Sequence, residues 1–522
     1  MIEKVKRILG LAPRPSGNKL IINSEKLEQR VALLENNQLE EYNVERQTDR
    51  NIVGGIFKGK VKNIEHGLKA MFVDIGFEKN AFLHFWDAIP GLDSGVEQVT
   101  RKGGQKNKKK ITAADIPKVY PVGSEVLVQV TKGPISNKGP RITTNISLAG
   151  RYLVLMPYND QSGISRKIEA PKERERLRKI LQALDVPDGM GVIVRTVGEG
   201  QRARYFVRDI GLLLEQWRHI EQKMQSEPAP SCVFREPDLI DRTVRDFLTD
   251  EIDAVICDDL QAVERMKDLV GQISKRSRNR IQYYNEPVPI FEKFDVQKQI
   301  DDAFHRQVWL KCGGYIVIDE TEALIAIDVN TGRNKGGKDV ERTILQTNLE
   351  AADEMARQMR LRNIGGLIIG DFIDMKSAKD RQAVFHRMKD RLKRDKSKTH
   401  VLPITQLGLM EMTRQRAAES ISGSVFEACP YCHGRGKVKS AMTMSVELQR
   451  ALHAVMKKYQ DLHEVKVIVH PKLLERLRSE DDELLVEIER KYAGRLTFRA
   501  EPAYHLEQYT ITDAHTGAEL KA

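Results

Sequence analysis

The chain has 522 residues, 40% of them apolar and 30% charged, with a formal net charge of +11. That is enough for several domains of soluble composition; no run of about 18 apolar residues offers a membrane span, and a basic surplus of 85 against 74 acids is local rather than global. Five cysteines, an odd number with Cys232, Cys257 and Cys312 widely scattered, argue against a disulfide framework and for a reducing cytoplasm, with those three as core thiols.

The first 19 residues, MIEKVKRILGLAPRPSGNK, read as a basic, Pro- and Gly-broken extension whose apolar stretch, Ile8 to Ala12, is too short for a secretory core. Residues 20–52 alternate short apolar runs with polar turns (LIINS, RVALLENNQLEEY), the pattern of edge strands that pair with later chain. Residues 53–147 hold five strand candidates, IFKGKVKNIE, GLKAMFVDIGF, NAFLHF, SEVLVQVTKG and RITTNIS, punctuated by Gly67, Gly76, Gly123 and Gly133. So many short strands in so little chain predict a small closed barrel. Composition alone reads Phe72, Phe82, Phe85 and Trp86 as its core, and the cluster Arg101, Lys102, Lys106 and Lys108 to Lys110 falls in its longest loop.

Residues 148–239 give a strand (LAGRYLVLMPY), then a helix over about 172–185 with Leu177, Ile180, Leu181 and Leu184 at helical spacing, ended by Pro187 and Gly189. The strand GVIVRT and a helix from Ile210 to Gln225 follow. In 240–300, DAVICDD before an amphipathic helix is a βα signal that completes the sheet begun at 20–52. Residues 301–425 form an α/β unit, 426–440 a cysteine-containing link, and 441–522 a small αβ domain with helices over about 444–460 and 471–491 around VKVIVH. A second basic run, KDRLKRDKSK at 389–398, reads as a solvated face or a nucleic-acid surface.

The chemistry concentrates in 315–375. Residues 315–319 and 323–329 read as a hairpin around Glu320, Thr321 and Glu322. Alternation puts Ile325, Ile327 and Val329 on one face and Leu324, Ala326 and Asp328 on the other, with Asn330 beside Asp328. An acid and an amide together at a strand end can hold a hydrated Mg²⁺. A helix over 341–363 turns Ile344, Leu345, Leu349, Ala352, Met355 and Met359 inward and stops at Gly365–Gly366. Leu367 to Phe372 then reads as a strand buried on both faces, where a charge is costly unless paired, which singles out Asp371 as a second ligand. Asp374 is the runner-up, on the opposite face if the strand continues; an N-cap or ion-pair role for these acids is the structural alternative. The loop NTGRNKGGKD, 330–339, has glycines and bases suited to phosphate but lacks the nucleotide P-loop spacing. Cys429 and Cys432 in CPYCHGRG are half of a tetrahedral Zn²⁺ site. The pair could be redox-active, could recruit His433, or could share one zinc with the same pair of a second chain.

The strings FVDIGFEKNAFL, NKGPRITTNISLAGRYLVLMP, GISRKIE, GVIVRT, EALIAIDVNTG, NLEAADEMARQMRLRNIGGLIIGDFIDM, LGLMEMTRQR and CPYCHGRG resemble, in this order, those of the ribonuclease E/G family. At this length the chain is most similar to the family's shorter, G-type members. The resemblance implies a multidomain α/β and α+β architecture: an RNase H-like subdomain from 20–52 and 240–300, an OB-fold RNA-binding domain at 53–147, a 5′-monophosphate sensor at 148–239, a DNase I-like catalytic subdomain at 301–425, a zinc link at 426–440 and an oligomerisation domain at 441–522. It implies a cytoplasmic endoribonuclease that cuts single-stranded RNA, rRNA precursors included, to 5′-phosphate and 3′-hydroxyl ends. Asp328 and Asp371 would ligate Mg²⁺, and Asn330 would position Asp328 or the attacking water. Phe72, Phe82 and Lys138 would contact RNA, and Gly150, Val154, Arg166, Arg195 and Thr196 would line the 5′-phosphate pocket. Cys429 and Cys432 would share a Zn²⁺ between subunits of a homodimer or homotetramer. The extension at 1–19 and the Lys-rich loop at 101–110 depart from the family pattern. A noncatalytic RNA-binding scaffold and a 3′-exoribonuclease are the competing functions.

Overall fold

A computed structural model describes residues 17–46, 52–89, 96–99, 112–113, 115–134, 138–248, 251–273, 275–334, 340–415, 420–459 and 463–521. The extension before residue 17, the Lys-rich loop at 101–110 and residues 335–339 lie outside the described residues. The protein is mixed α/β and divides into two compact units, Met1–Ser424 and Val425–Ala522. Among the described residues no helix is long and apolar enough to cross a membrane.

In the first unit, the strand Lys19–Ser24 pairs in parallel with Ala254–Cys257, Leu20 opposite Val255 and Ile22 opposite Cys257. The early apolar runs thus find their partner more than two hundred residues later, in a sheet ordered Ile281–Tyr283, Ala254–Cys257, Lys19–Ser24, Glu28–Glu35, Gln38–Arg46. Cys257 is wholly buried there, and burial pushes its thiol up to about 12.

The five barrel strands are Ile56–Glu65, Ala70–Asp74, Ala81–His84, Glu125–Lys132 and Arg141–Thr143. The first pairs with both the second and the fourth, which closes the sheet on itself. Alternation fills the interior with Val61, Met71, Val73, Leu83, Val128 and Ile142. Two neighbours are exchanged with adjoining chain: Ser231–Phe234 adds to the barrel's first strand, and Val96–Val99 leaves the long barrel loop to pair with Ser162–Ser165. Trp86, expected in the core, is 54% exposed, because the Phe85–Ala88 turn buries only Phe85 and Ala88.

The sheet that carries the acids runs Gln307–Trp309, Tyr315–Glu320, Ile325–Asn330, Gly366–Asp371, Leu409–Arg414, Thr399–Val401. One face packs Ile316, Ile318, Ile325, Ile327, Ile368 and Met410 against the helices Val340–Leu361 and Ala378–Leu392. The other face is open. The strand Gly366–Asp371 is therefore buried on one side only: Ile368 and Gly370 face the helices, while Leu367 and Asp371 are exposed. The long helix stops before the glycine pair. Asn363 adopts φ +50°, Ile364 N–H donates to Met359 and Asn363 N–H to Arg360, so an asparagine makes the left-handed C-terminal turn.

Among its described residues the second unit has a three-stranded sheet, Arg495–Ala500, Glu464–Val469, Tyr509–Asp513, with the helices Ala441–Lys458, Pro471–Ser479 and Asp482–Tyr492. The single helix expected over 471–491 is two, Pro471–Ser479 and Asp482–Tyr492. Its core gathers Leu448, Leu452, Val467, Leu473 and Ile488.

Candidate active site

The parallel register of Ile325–Asn330 with Gly366–Asp371 sets Asp328 directly beside Asp371. Both side chains stand on the open face, since Ile327 and Val329 before and after Asp328, and Gly370 before Asp371, point to the core. Asn330 lies one pleat further along the same face and donates its side-chain N–H to the Asp328 carboxylate at 2.8 Å. The Asp371 carboxyl is held above its usual value, first by partial desolvation and then by two like charges, Asp328 and Asp374. Asp374 acts on Asp371 in this way because the strand ends at Asp371, so strand alternation no longer governs the residues after it. Gly408 makes room for that turn: a Cβ there would lie 2.8 Å from the Phe372 carbonyl and 3.3 Å from the Asp374 carboxylate.

The segment after Asp371 is fastened from below. Asn348, wholly buried on the inner face of the long helix, donates to the Ile373 carbonyl at 2.8 Å and accepts from the Ile373 N–H at 3.1 Å. It therefore fixes the backbone between Asp371 and Asp374. No sequence motif marks Asn348. Its signal is a polar residue in an otherwise apolar stripe with Leu345, Ala352 and Met355.

Among the described residues, no three His, Cys, Asp or Glu side chains gather into a ready-made metal cage. The donor set at the sheet edge is nonetheless the one Mg²⁺ takes: oxygen ligands from one or two carboxylates, with water and substrate phosphate filling the remaining positions. Like-charged carboxylates side by side at one edge fit such a cation, which would relieve the repulsion that adds to desolvation in raising Asp371.

On the barrel, Phe72 and Phe82 are directly opposed on neighbouring strands, ring centroids 5.9 Å apart at 72°. Both are half-buried on the outer side, with His84 6.4 Å from Phe82. Lys138 is exposed, in the turn whose Pro140 carbonyl accepts from Phe82 N–H at 2.7 Å. Gly139 lets this turn come close, since a Cβ would lie 2.1 Å from the Asn80 carbonyl.

In the neighbouring sheet, Val154 pairs with Ile193, two residues before Arg195. Arg195 donates to the Gly150 carbonyl at 2.6 Å and pairs with Asp246 at 2.7 Å. Burial raises the Asp246 carboxyl, but Arg195 and Arg245 outweigh it and hold the group below its usual value. Thr196 follows, its hydroxyl 3.4 Å from that of Ser165, and Arg166 is exposed beside Ser165. Beneath them the buried Asp209 accepts the N–H groups of Arg151, Tyr152 and Leu153. A Cβ on Gly150 would lie 2.7 Å from that carboxylate.

The basic run at 389–398 is largely consumed internally. Arg391 pairs with Asp353, Arg394 with Glu35, and Lys396 lies over the Phe247 ring. Asp395 and Arg414 make a buried ion pair.

In the second unit, Cys429 is exposed, and the N–H groups of Cys432 and Tyr431 aim at its sulfur and hold its thiol below the usual value. Gly436 N–H donates to the Cys432 sulfur at 3.3 Å. Two sulfurs in a turn of this kind suit thiolate ligation and supply half of a tetrahedral zinc set.

A family model described as "Ribonuclease E/G family" matches residues 147–417, and one described as "RNase E/G, Thioredoxin-like domain" matches 428–514. Ribonuclease G of Escherichia coli (strain K12) is 37% identical over 94% of the chain and 99% of its own length. Ribonuclease G of Haemophilus influenzae is 36% identical over the same shares. Ribonuclease E of Escherichia coli (strain K12) is 37% identical over 88% of the chain but only 43% of its own length.

Proposed function

The chain belongs to the ribonuclease E/G family and is a ribonuclease, and on that premise we propose that it is a Mg²⁺-dependent endoribonuclease of the G type. It cuts single-stranded RNA internally to 5′-phosphate and 3′-hydroxyl ends, favours 5′-monophosphorylated substrates, and serves rRNA processing and RNA decay in the cytoplasm. The observation that carries this is the in-register pair of Asp328 and Asp371 on an open sheet face, with Asn330 bonded to Asp328.

Asp328 and Asp371 would hold the cation, which when bound supplies a polarised water and neutralises charge on phosphoryl oxygens. Asn330 fixes one oxygen of Asp328 so that the other stays directed outward. Asn348 holds the backbone after Asp371, so the second carboxylate keeps its place without a covering lid. Phe72 and Phe82 offer rings to unpaired bases and Lys138 a charge to the backbone. Arg195, oriented by Asp246 and the Gly150 carbonyl, and Thr196 provide the fork and hydroxyl that suit a terminal phosphate, with Val154 and Arg166 at the rim. Cys429 and Cys432 complete a zinc site with the same pair of a second subunit, giving a homodimer or, through the small C-terminal domain, a homotetramer.

Product-end mapping on a defined 5′-monophosphorylated single-stranded RNA, with Mg²⁺ and with chelator, tests this. Internal cuts with 5′-phosphate ends that vanish with chelator are expected. A ladder of mononucleotides would make the protein a 3′-exonuclease, and tight binding without cleavage a scaffold.

A further inference from the structure

The open face of the catalytic sheet continues past the acids to a group of side chains that the reaction chemistry leaves unused. Tyr315 is directly opposite Asn330, and Trp309 is directly opposite Tyr315 on the edge strand. All three stand on the face that carries Asp328. The Trp309 and Tyr315 rings meet edge to face with centroids 5.3 Å apart, and Trp309 is 52% exposed. The exposed Arg333 guanidinium lies 5.3 Å from the indole centroid.

The backbone is built to hold this group. After Asn330 the chain folds back so that Arg333 N–H donates to the Gly313 carbonyl at 2.9 Å. Gly332, at φ +55°, has no room for a side chain: a Cβ would lie 2.6 Å from that carbonyl and 3.1 Å from the Tyr315 ring. Gly314 is equally confined: a Cβ there would lie 2.8 Å from the Thr347 methyl and 2.9 Å from the Asn330 carbonyl. The loop that presents Arg333 to Trp309 is thus packed onto the strand end that presents Asn330 to Asp328.

We propose that Trp309, Tyr315 and Arg333 form a subsite for one unpaired nucleobase of the RNA and its phosphate, flanking the bond that is cut. The inference rests on the endoribonuclease reading and adds a specificity-determining contact to it. A broad exposed indole beside a guanidinium suits a base, which has a π-face, attached to an anion. Strand spacing of about 4.8 Å and a two-residue rise of about 6.6 Å put the Trp309 position roughly 12 Å from Asp328 and roughly 16 Å from Asp371. The shorter separation is about two nucleotides of extended single strand, so the base on Trp309 belongs to a neighbour of the scissile phosphate. Trp309 is a positioning residue: its stacking fixes the register in which the phosphate meets Asp328 and Asp371.

The test is an abasic scan. One nucleotide at a time, over three positions on each side of a single preferred cut, is replaced by an abasic residue in a 5′-monophosphorylated oligonucleotide. In the parent protein one position should raise KM about ten-fold, or about 1.4 kcal/mol, with kcat within about two-fold. Trp309→Ala should show that KM rise on the intact substrate and a flat profile at that position, while Trp309→Phe should restore the parent profile. Arg333→Ala should raise KM and lessen its dependence on salt. Because Trp309 is exposed at a sheet edge, melting curves should be little changed. As a check independent of Trp309→Ala, RNA added in chelator should quench an emission component that Trp309→Phe lacks. Internal cutting by Trp309→Ala with the parent's abasic profile overturns this inference alone. No internal cut by the parent overturns the endoribonuclease reading, and this inference with it.

Discussion

Asp328 and Asp371 are register partners on adjacent parallel strands, and neither is buried. Two like charges held side by side on a rigid sheet oppose each other in the metal-free protein. Asp371 accordingly sits above its usual value, first through partial desolvation and then through Asp328 and Asp374. An acid whose folded value is raised destabilises the fold when ionised at neutral pH. Asp371→Asn should therefore raise the melting temperature in chelator at pH 7 while slowing cleavage about 10³-fold. A fall in melting temperature would show that the carboxylate serves the fold rather than the reaction.

Asn348 ties the two polar groups of Ile373 to the long helix. Asn348→Leu leaves a half-buried N–H and C=O without this partner, at up to about 1–3 kcal/mol for each group. Urea denaturation should register that loss. The Mg²⁺ concentration for half-maximal cleavage should rise, because Asp371 and Asp374 flank the released backbone.

Arg195 is a shared partner of Asp246 and the Gly150 carbonyl. Arg195→Lys keeps the charge but loses the planar fork. It should remove most of the rate advantage of a 5′-monophosphate over a 5′-hydroxyl and leave cleavage of the 5′-hydroxyl substrate within about three-fold.

Asp246 gives the fold a pH dependence of known sign. Its folded value lies below the ordinary 3.8, burial being outweighed by Arg195 and Arg245. Its contribution is thus fully present above that ordinary value and is lost as pH falls through the folded one. Urea midpoints should drop on acidification below about pH 4, and Asp246→Asn should flatten that part of the curve while lowering stability at pH 7.

The thiols divide by environment. Cys257, pushed up to about 12 by burial, should resist alkylation in the native protein, and Cys429 should react first. Added Zn²⁺ should protect Cys429 and Cys432 together and raise the mass of the assembly measured in solution. Cys429→Ser with unchanged zinc content and mass would remove the shared-zinc assignment.

Much of this was legible in the residues. The two-residue period of IAIDVN placed Asp328 and Asn330 on one face, as the structure has them. The barrel strands were legible because Gly turns separate short alternating runs. What was hidden depends on partners distant in sequence. GLIIGDF looks buried on both sides, yet helices cover only one face, so burial cost is not why Asp371 stands out. Asp374 comes to act on Asp371 through a strand end that no periodicity marks. RLTFRA carries two arginines and gains its strand from parallel pairing with Glu464–Val469, not from its own pattern. Nothing in the local pattern marks Trp309, whose exposure follows from its place on an edge strand.

The central claim is that Asp328 and Asp371 act as one unit holding one cation. It is tested most directly by the double-mutant cycle of Asp328→Asn and Asp371→Asn, read as single-turnover cleavage of a 5′-monophosphorylated RNA across a Mg²⁺ series. Each single variant should lose about 10³-fold, some 4 kcal/mol of barrier, and the double variant should be no slower than the slower single. Losses that multiply in the double variant, or a single variant that cleaves at the parent's rate, would contradict it.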